Sequence, residues 1–125
     1  MLRGTAPLAL ADDHLALDQE LPLAKALRFW GGAVAEAMAA LGLTALADVP
    51  VRLLSAGQAK RAALARAAAS GARLWLLDEP ANALDSASLE QLAKLVEGHR
   101  SAGGAVLAAS HMPLPGEWRV LGLGG

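Results

Sequence analysis

Apolar and polar positions follow two different rhythms along this chain. From Leu23 the apolar residues Leu23, Leu27, Trp30, Val34, Met38 and Leu41 recur at helical spacing. Gly31-Gly32 weakens the middle of that helix and Gly42 is a natural stop. A short helical turn is expected over 44–47, before Asp48 and Pro50. Ser55 and Gln58 then form a Ser-x-x-Gln capping box that opens a second helix to about residue 70, closed by Gly71. The rhythm changes at Leu74-Trp75-Leu76-Leu77, a short apolar run ending at Asp78-Glu79-Pro80. A run apolar on both faces suits a buried parallel strand. A third helix is predicted over about 86–97, with Leu89, Leu92 and Val96 on one face. Gly103-Gly104 leads into a second strand candidate over 105–110, and residues 119–123 offer a last one. The first twenty residues, with Gly4, Pro7 and Asp12-Asp13, read as irregular.

Strand, helix and strand with a crossover of this length make a right-handed βαβ unit. In open parallel sheets, ligands sit beyond the carboxyl ends of the strands. Asp78-Glu79 and His111 both fall at such ends, which lifts them above ordinary surface polar residues.

Composition narrows the reading. The 125 residues suffice for one modest core, 54% are hydrophobic, and the net charge is only -1. That suits a globular domain and gives no electrostatic case for nucleic acid or anionic lipid. Cysteine is absent, which excludes disulfides, thiolate catalysis and cysteine metal sites. No uncharged apolar run approaches the ~18 residues needed to span a bilayer. The start, through Ala9-Leu10-Ala11, faintly resembles a signal peptide but is too short and mixed to serve as one. Ala dominates, so helix propensity alone overstates the helical content.

Four elements can carry chemistry. Leu54-Ser55-Ala56-Gly57-Gln58 is a helix N-terminus with a hydroxyl, a glycine and free N–H groups, suited to a terminal phosphate; the plainer alternative is a capped helix. Asp78 at a strand end can hold magnesium through oxygen or water, and Glu79, pointing elsewhere, can orient or deprotonate an attacking water. Alone, that pair reads first as a strand ending in a solvated acidic turn. His111 can meet a phosphate or position water through its ring, or stand as a surface histidine. Asp85 is the fourth candidate, with the helix N-cap as its alternative.

In this order and spacing, Leu54-Ser55-Ala56-Gly57-Gln58, Leu74-Trp75-Leu76-Leu77-Asp78-Glu79-Pro80, Ala83-Leu84-Asp85 and His111 resemble the motif series of the ABC ATPases. In that family these are the signature, Walker B with its catalytic glutamate, the D-loop and the switch histidine. The resemblance implies an α/β fold class, a partial P-loop NTPase domain over 1–125, with a helical signature region over about 20–70. Residues 71–125 would then form the Walker B to C-terminal part of the core, a βαβ unit with parallel strands. It implies ATP and Mg2+ as cofactors, with Glu79 and His111 catalytic, Asp78 at the metal, and Ser55, Gly57, Gln58 and Asp85 at nucleotide. It further implies integral membrane permease subunits, a second ATPase subunit in a dimer sandwich, no nucleic acid, and a peripheral place on the cytoplasmic face of the bacterial inner membrane. The run from Leu53 to Arg66 with Ala56 in the signature, Leu74 to Pro80, and Glu20-Leu21 with Leu27-Arg28-Phe29-Trp30 are similar to the ATP-binding subunits of cytochrome c maturation, which export haem.

The pattern also departs from the family. Gly-x-x-x-x-Gly-Lys-Ser/Thr should precede these motifs, yet Lys25, Lys60 and Lys94 are the only lysines and none lies in such a setting. The expectation is therefore a partial sequence that cannot hydrolyse ATP alone, with uncovered sheet edges, apolar faces and poor solubility. The Gln of the Q-loop aligns with His14. The competing reading is a non-catalytic module that donates its signature to a complete ATPase. ATPases of DNA repair carry long heptad coiled coils, and none is present.

Overall fold

The computed structural model describes residues 8–12 and 15–120. Three parallel strands, β1 (Leu8–Ala11), β2 (Leu74–Asp78) and β3 (Ala105–Ala109), lie in the order β1-β2-β3. Register places Leu10 beside Leu76 and Leu76 beside Leu107, and Trp75 beside Val106. Because side chains alternate across a strand, Ala11, Trp75 and Leu77 share one face. They are buried there, at 4%, 4% and 2% exposure.

Four helices supply the cover: α1 (Leu23–Trp30), α2 (Val34–Ala40), α3 (Ala56–Ala69) and α4 (Ser86–Ser101). Leu23, Leu27, Leu41, Leu43, Leu64 and Leu92 are the large side chains sealed in the core. Short 3-10 turns at Thr44–Leu46 and Val51–Leu53 carry the chain from α2 to α3. The β2–α4–β3 crossover joins neighbouring parallel strands, as the sequence spacing requires.

The other face of the sheet is open. Leu8, Leu10 and Leu107 are 46%, 52% and 53% exposed. A groove of about 910 Å³ runs over this face, lined among others by Leu10, Leu76, Leu107, Met112 and Trp118. Parallel sheets are ordinarily covered on both faces; the described residues leave this one largely uncovered.

Four sequence expectations need correction. The helix expected through 23–41 is two helices, because Gly31 and Gly32 adopt φ of 80° and 93° and turn the chain between Trp30 and Val34. The segment read as irregular contains β1, which pairs with β2. Arg119 and Val120, the described part of the last strand candidate, are not in a strand; residues 121–123 lie outside the described residues, as does His14. The third helix also runs one turn longer than predicted, to Ser101.

Candidate functional site

The site is built where β2 and β3 end. The Glu79 N–H donates to the Ala109 carbonyl at 2.7 Å, carrying the ladder one residue beyond β2. Glu79 then takes a left-handed φ of 51°, uncommon for a residue with a side chain. This turn aims its carboxylate at the residues after β3. The backbone N–H of His111 donates to it at 3.0 and 3.3 Å, and His111 Nδ1 lies 2.5 Å from Oε2. A carboxylate oxygen accepts, so the Nδ1 side of the ring is turned onto Glu79 and Nε2 is left on the far side of the ring. The Glu79 side chain is 20% exposed and the His111 side chain 93%. The carboxylate is thus sheltered while the ring projects into solvent.

Asp78 is the last residue of β2 and is exposed. Among the described residues its carboxylate makes no hydrogen bond or ion pair. The described residues hold no group of three or more His, Asp or Glu placed to cage a metal. Such a lone strand-end carboxylate fits Mg2+, which takes one or two protein carboxylates and fills its remaining positions with waters and phosphate oxygens.

Ser55 and Gln58 form the capping box expected from their spacing. Gln58 N donates to Ser55 Oγ at 3.2 Å, and Ser55 N donates to Gln58 Oε1 at 2.9 Å. The N–H groups of the first turn of α3 that remain point out of the helix end. Asp85 caps α4, its Oδ1 accepting from Ser88 N at 2.8 Å. That backbone bond holds its carboxyl below the usual carboxylate range, with the Ser88 side chain and the Arg61 guanidinium acting in the same direction.

The start of α3 and the loop between β2 and α4 are in direct contact. A Cβ added at Gly57 would fall 2.7 Å from the Ala83 carbonyl oxygen. Ala83, like Glu79, is left-handed, with φ 71°. Lys60, only 7% exposed, reaches the Asp78 carbonyl with Nζ at 3.4 Å. Arg61 donates to the carbonyl of Leu41 at 3.0 Å. The structure therefore brings Glu79 and His111 together and leaves Ser55 and Gln58 bonded to each other. Sequence reasoning missed Lys60, because a lone lysine in a helix reads as a solvated face.

The ABC transporter family profile matches residues 9–82. The chain belongs to the ABC transporter family, whose ATPase domains give this α/β arrangement. It is similar to the cytochrome c biogenesis ATP-binding export protein CcmA of Zymomonas mobilis, 56% identical over 113 residues, covering 86% of this chain and 51% of that protein. The protein of the same name from Sphingopyxis alaskensis is 53% identical over 114 residues, covering 86% and 59%. The chain spans about half the length of the curated relatives it matches. Among solved structures, the ATP-binding cassette MJ0796, in a dimeric post-hydrolysis state bound to ADP and Pi, superposes with a TM-score of 0.72. It is 26% identical, covering 84% of this chain and 52% of that one. Both the resemblance and the fold class read from the motifs are borne out. No helix of the described residues is long and apolar enough to cross a membrane.

Proposed function

We propose that this chain supplies the signature and catalytic-carboxylate part of an ATP-hydrolysing transporter subunit that serves haem export in cytochrome c maturation. The Glu79–His111 contact carries the reading, since it places a sheltered base beside an oriented ring at the carboxyl ends of adjacent strands. In this reading Glu79 takes the proton of the attacking water, and His111 orients that water or the terminal phosphate through Nε2. Asp78 holds Mg2+, which when bound neutralises charge on the phosphate oxygens. Ser55, Gly57 and Gln58 face nucleotide held by a second ATPase subunit, and Asp85 is the remaining residue assigned to nucleotide. Permease subunits spanning the inner membrane are the remaining partners, with the chain peripheral on their cytoplasmic side.

No Gly-x-x-x-x-Gly-Lys-Ser/Thr lies within these 125 residues, so hydrolysis by this chain alone is not expected. ATPase assay of the 125-residue chain, alone and beside a version preceded by a phosphate-binding loop, tests the reading. Turnover only with the loop supports it; turnover in neither version overturns it. A second reading rests on the preformed capping box of α3: the chain donates its signature to a complete ATPase without hydrolysing ATP itself. Stimulation of that partner by a chain carrying Glu79→Gln would favour the second reading.

A further inference from the structure

The segment from Asp78 to Asp85 carries every acidic residue assigned to the reaction, and two of its residues are in unfavourable backbone states. Glu79 and Ala83 are both left-handed without being glycine, at φ 51° and 71°. Such conformations persist only where the surroundings over-determine them. The surroundings here are the first two turns of α3. Lys60 reaches the Asp78 carbonyl at the start of the segment. Gly57 admits the Ala83 carbonyl at its middle, closer than any side chain would permit. Arg61, in the same two turns, donates to the Leu41 carbonyl just past the end of α2. An ammonium is costly to bury unless it is bonded, so the placement of Lys60, 7% exposed, reflects a constraint and not a solvated helix face.

We propose that Lys60 is a positioning residue that locks the Asp78–Asp85 segment to α3, so that a nucleotide seated at Ser55 and Gly57 acts on the Glu79–His111 pair of the same chain. The inference rests on the functional reading above. It adds a route within one chain: α3 and the segment move as one body, and displacement of the helix end is passed to Glu79 through the Asp78 and Ala83 carbonyls. In this arrangement Lys60 acts through the Asp78 carbonyl and not on the nucleotide. Its loss therefore affects turnover through the placement of Glu79, and leaves nucleotide affinity alone.

The test uses the assembled, ATP-hydrolysing subunit with Glu79→Gln as the control. Lys60→Met keeps length and removes charge, and is expected to lower kcat by about 10²-fold with KM for ATP unchanged, the usual scale for a reacting group misplaced by about 1 Å. Lys60→Arg, which can still reach the carbonyl, is expected to regain most of kcat. In the nucleotide-free protein the imidazole NMR signals of His111 are expected to shift in Lys60→Met and return in Lys60→Arg. Wild-type kcat in Lys60→Met beside an inactive Glu79→Gln overturns this proposal and leaves the functional reading intact. A raised KM at unchanged kcat also overturns it. Full activity in Glu79→Gln instead removes the functional reading, whatever Lys60 does. Should Lys60→Met not fold, Gly57→Ala decides: its methyl must displace the Ala83 carbonyl, and unmoved His111 signals without nucleotide overturn the proposal.

Discussion

His111 and Glu79 are 32 positions apart in sequence, yet the carboxylate of one meets both the backbone N–H and the ring Nδ1 of the other. This double attachment fixes the orientation of the ring and leaves Nε2 facing outward. It depends on three local facts: β2 and β3 are neighbours, they end level with each other, and Glu79 turns left-handed just past the end. The proposed function gives the carboxylate held in this way the part of the base, and gives the ring the part of meeting water or phosphate.

Replacing Glu79 by Gln keeps the shape of the side chain and an acceptor for the His111 N–H, but removes the basic oxygen. In the subunit with its phosphate-binding loop, ATP binding should persist while turnover falls by about 10²–10⁴-fold, the usual worth of a positioned base. Nucleotide binding by equilibrium titration, beside single-turnover hydrolysis, separates the two effects. Turnover near the wild-type rate would falsify the role given to Glu79.

Much of this was legible in the sequence, for reasons that differ by element. β2 stood out because Leu74-Trp75-Leu76-Leu77 is apolar on both faces, and the acidic pair marks its end. Ser55 and Gln58 were legible because a capping box is a local device that needs no tertiary context. β1 was hidden because Leu8-Ala9-Leu10-Ala11 has no preference of its own, with alanine favouring helix; its strand state comes from pairing with residues far along the chain. The break at Gly31-Gly32 was understated because the apolar spacing continues across it into α2. The grip of Lys60 and Gly57 on the acidic segment had no sequence signal, since it arises from helix packing alone.

Asp85 gives a pH signature with a definite sign. Its carboxyl is held below the ordinary value of 3.8, first by the Ser88 N–H, then by the Ser88 side chain and Arg61. A depressed folded value means that the ionised cap stabilises the fold above that ordinary value and is lost as pH falls through the folded one. Thermal unfolding should therefore be insensitive to Asp85 ionisation near neutrality and weaken in the acid range below 3.8. Asp85→Asn, still a good cap, should lose this part of the acid dependence. Asp85→Ala should melt lower at neutral pH, and an unchanged melting temperature there would count against the cap.

Two glycines should respond oppositely to alanine. At Gly32 a Cβ would lie 1.8 Å from the Ala69 carbonyl oxygen, and φ is +93°. That oxygen also accepts from Ala33 N at 3.0 Å, joining the start of α2 to the end of α3. Gly32→Ala should cost about 2 kcal/mol or more through strain and clash. Gly98 lies inside α4 with nothing within 4 Å of an added Cβ, so Gly98→Ala should stabilise by about 0.5–1 kcal/mol. Urea unfolding midpoints of the two variants decide it, and shifts of the same sign would contradict the packing described.

The open face of the sheet gives the last prediction. Leu10, Leu76 and Leu107 stand side by side across all three strands, and Leu10 and Leu107 are more than half exposed. Covering such a leucine is worth about 1.5–3 kcal/mol, and this chain spans 51% and 59% of two curated relatives. The length those relatives have beyond the matched region would supply such a cover. The pair Leu10→Lys and Leu107→Lys should then have opposite effects in two settings. In the 125-residue chain, charge on the open face should raise the soluble fraction. In a version extended to the length of those relatives, the same charges would be buried without partners, and folding and ATP binding should be lost. Sedimentation of the short chain and nucleotide titration of the long one make the comparison. An extended double variant that folds and binds ATP normally would mean that this face looks onto solvent there too, and that the rest of the domain packs elsewhere.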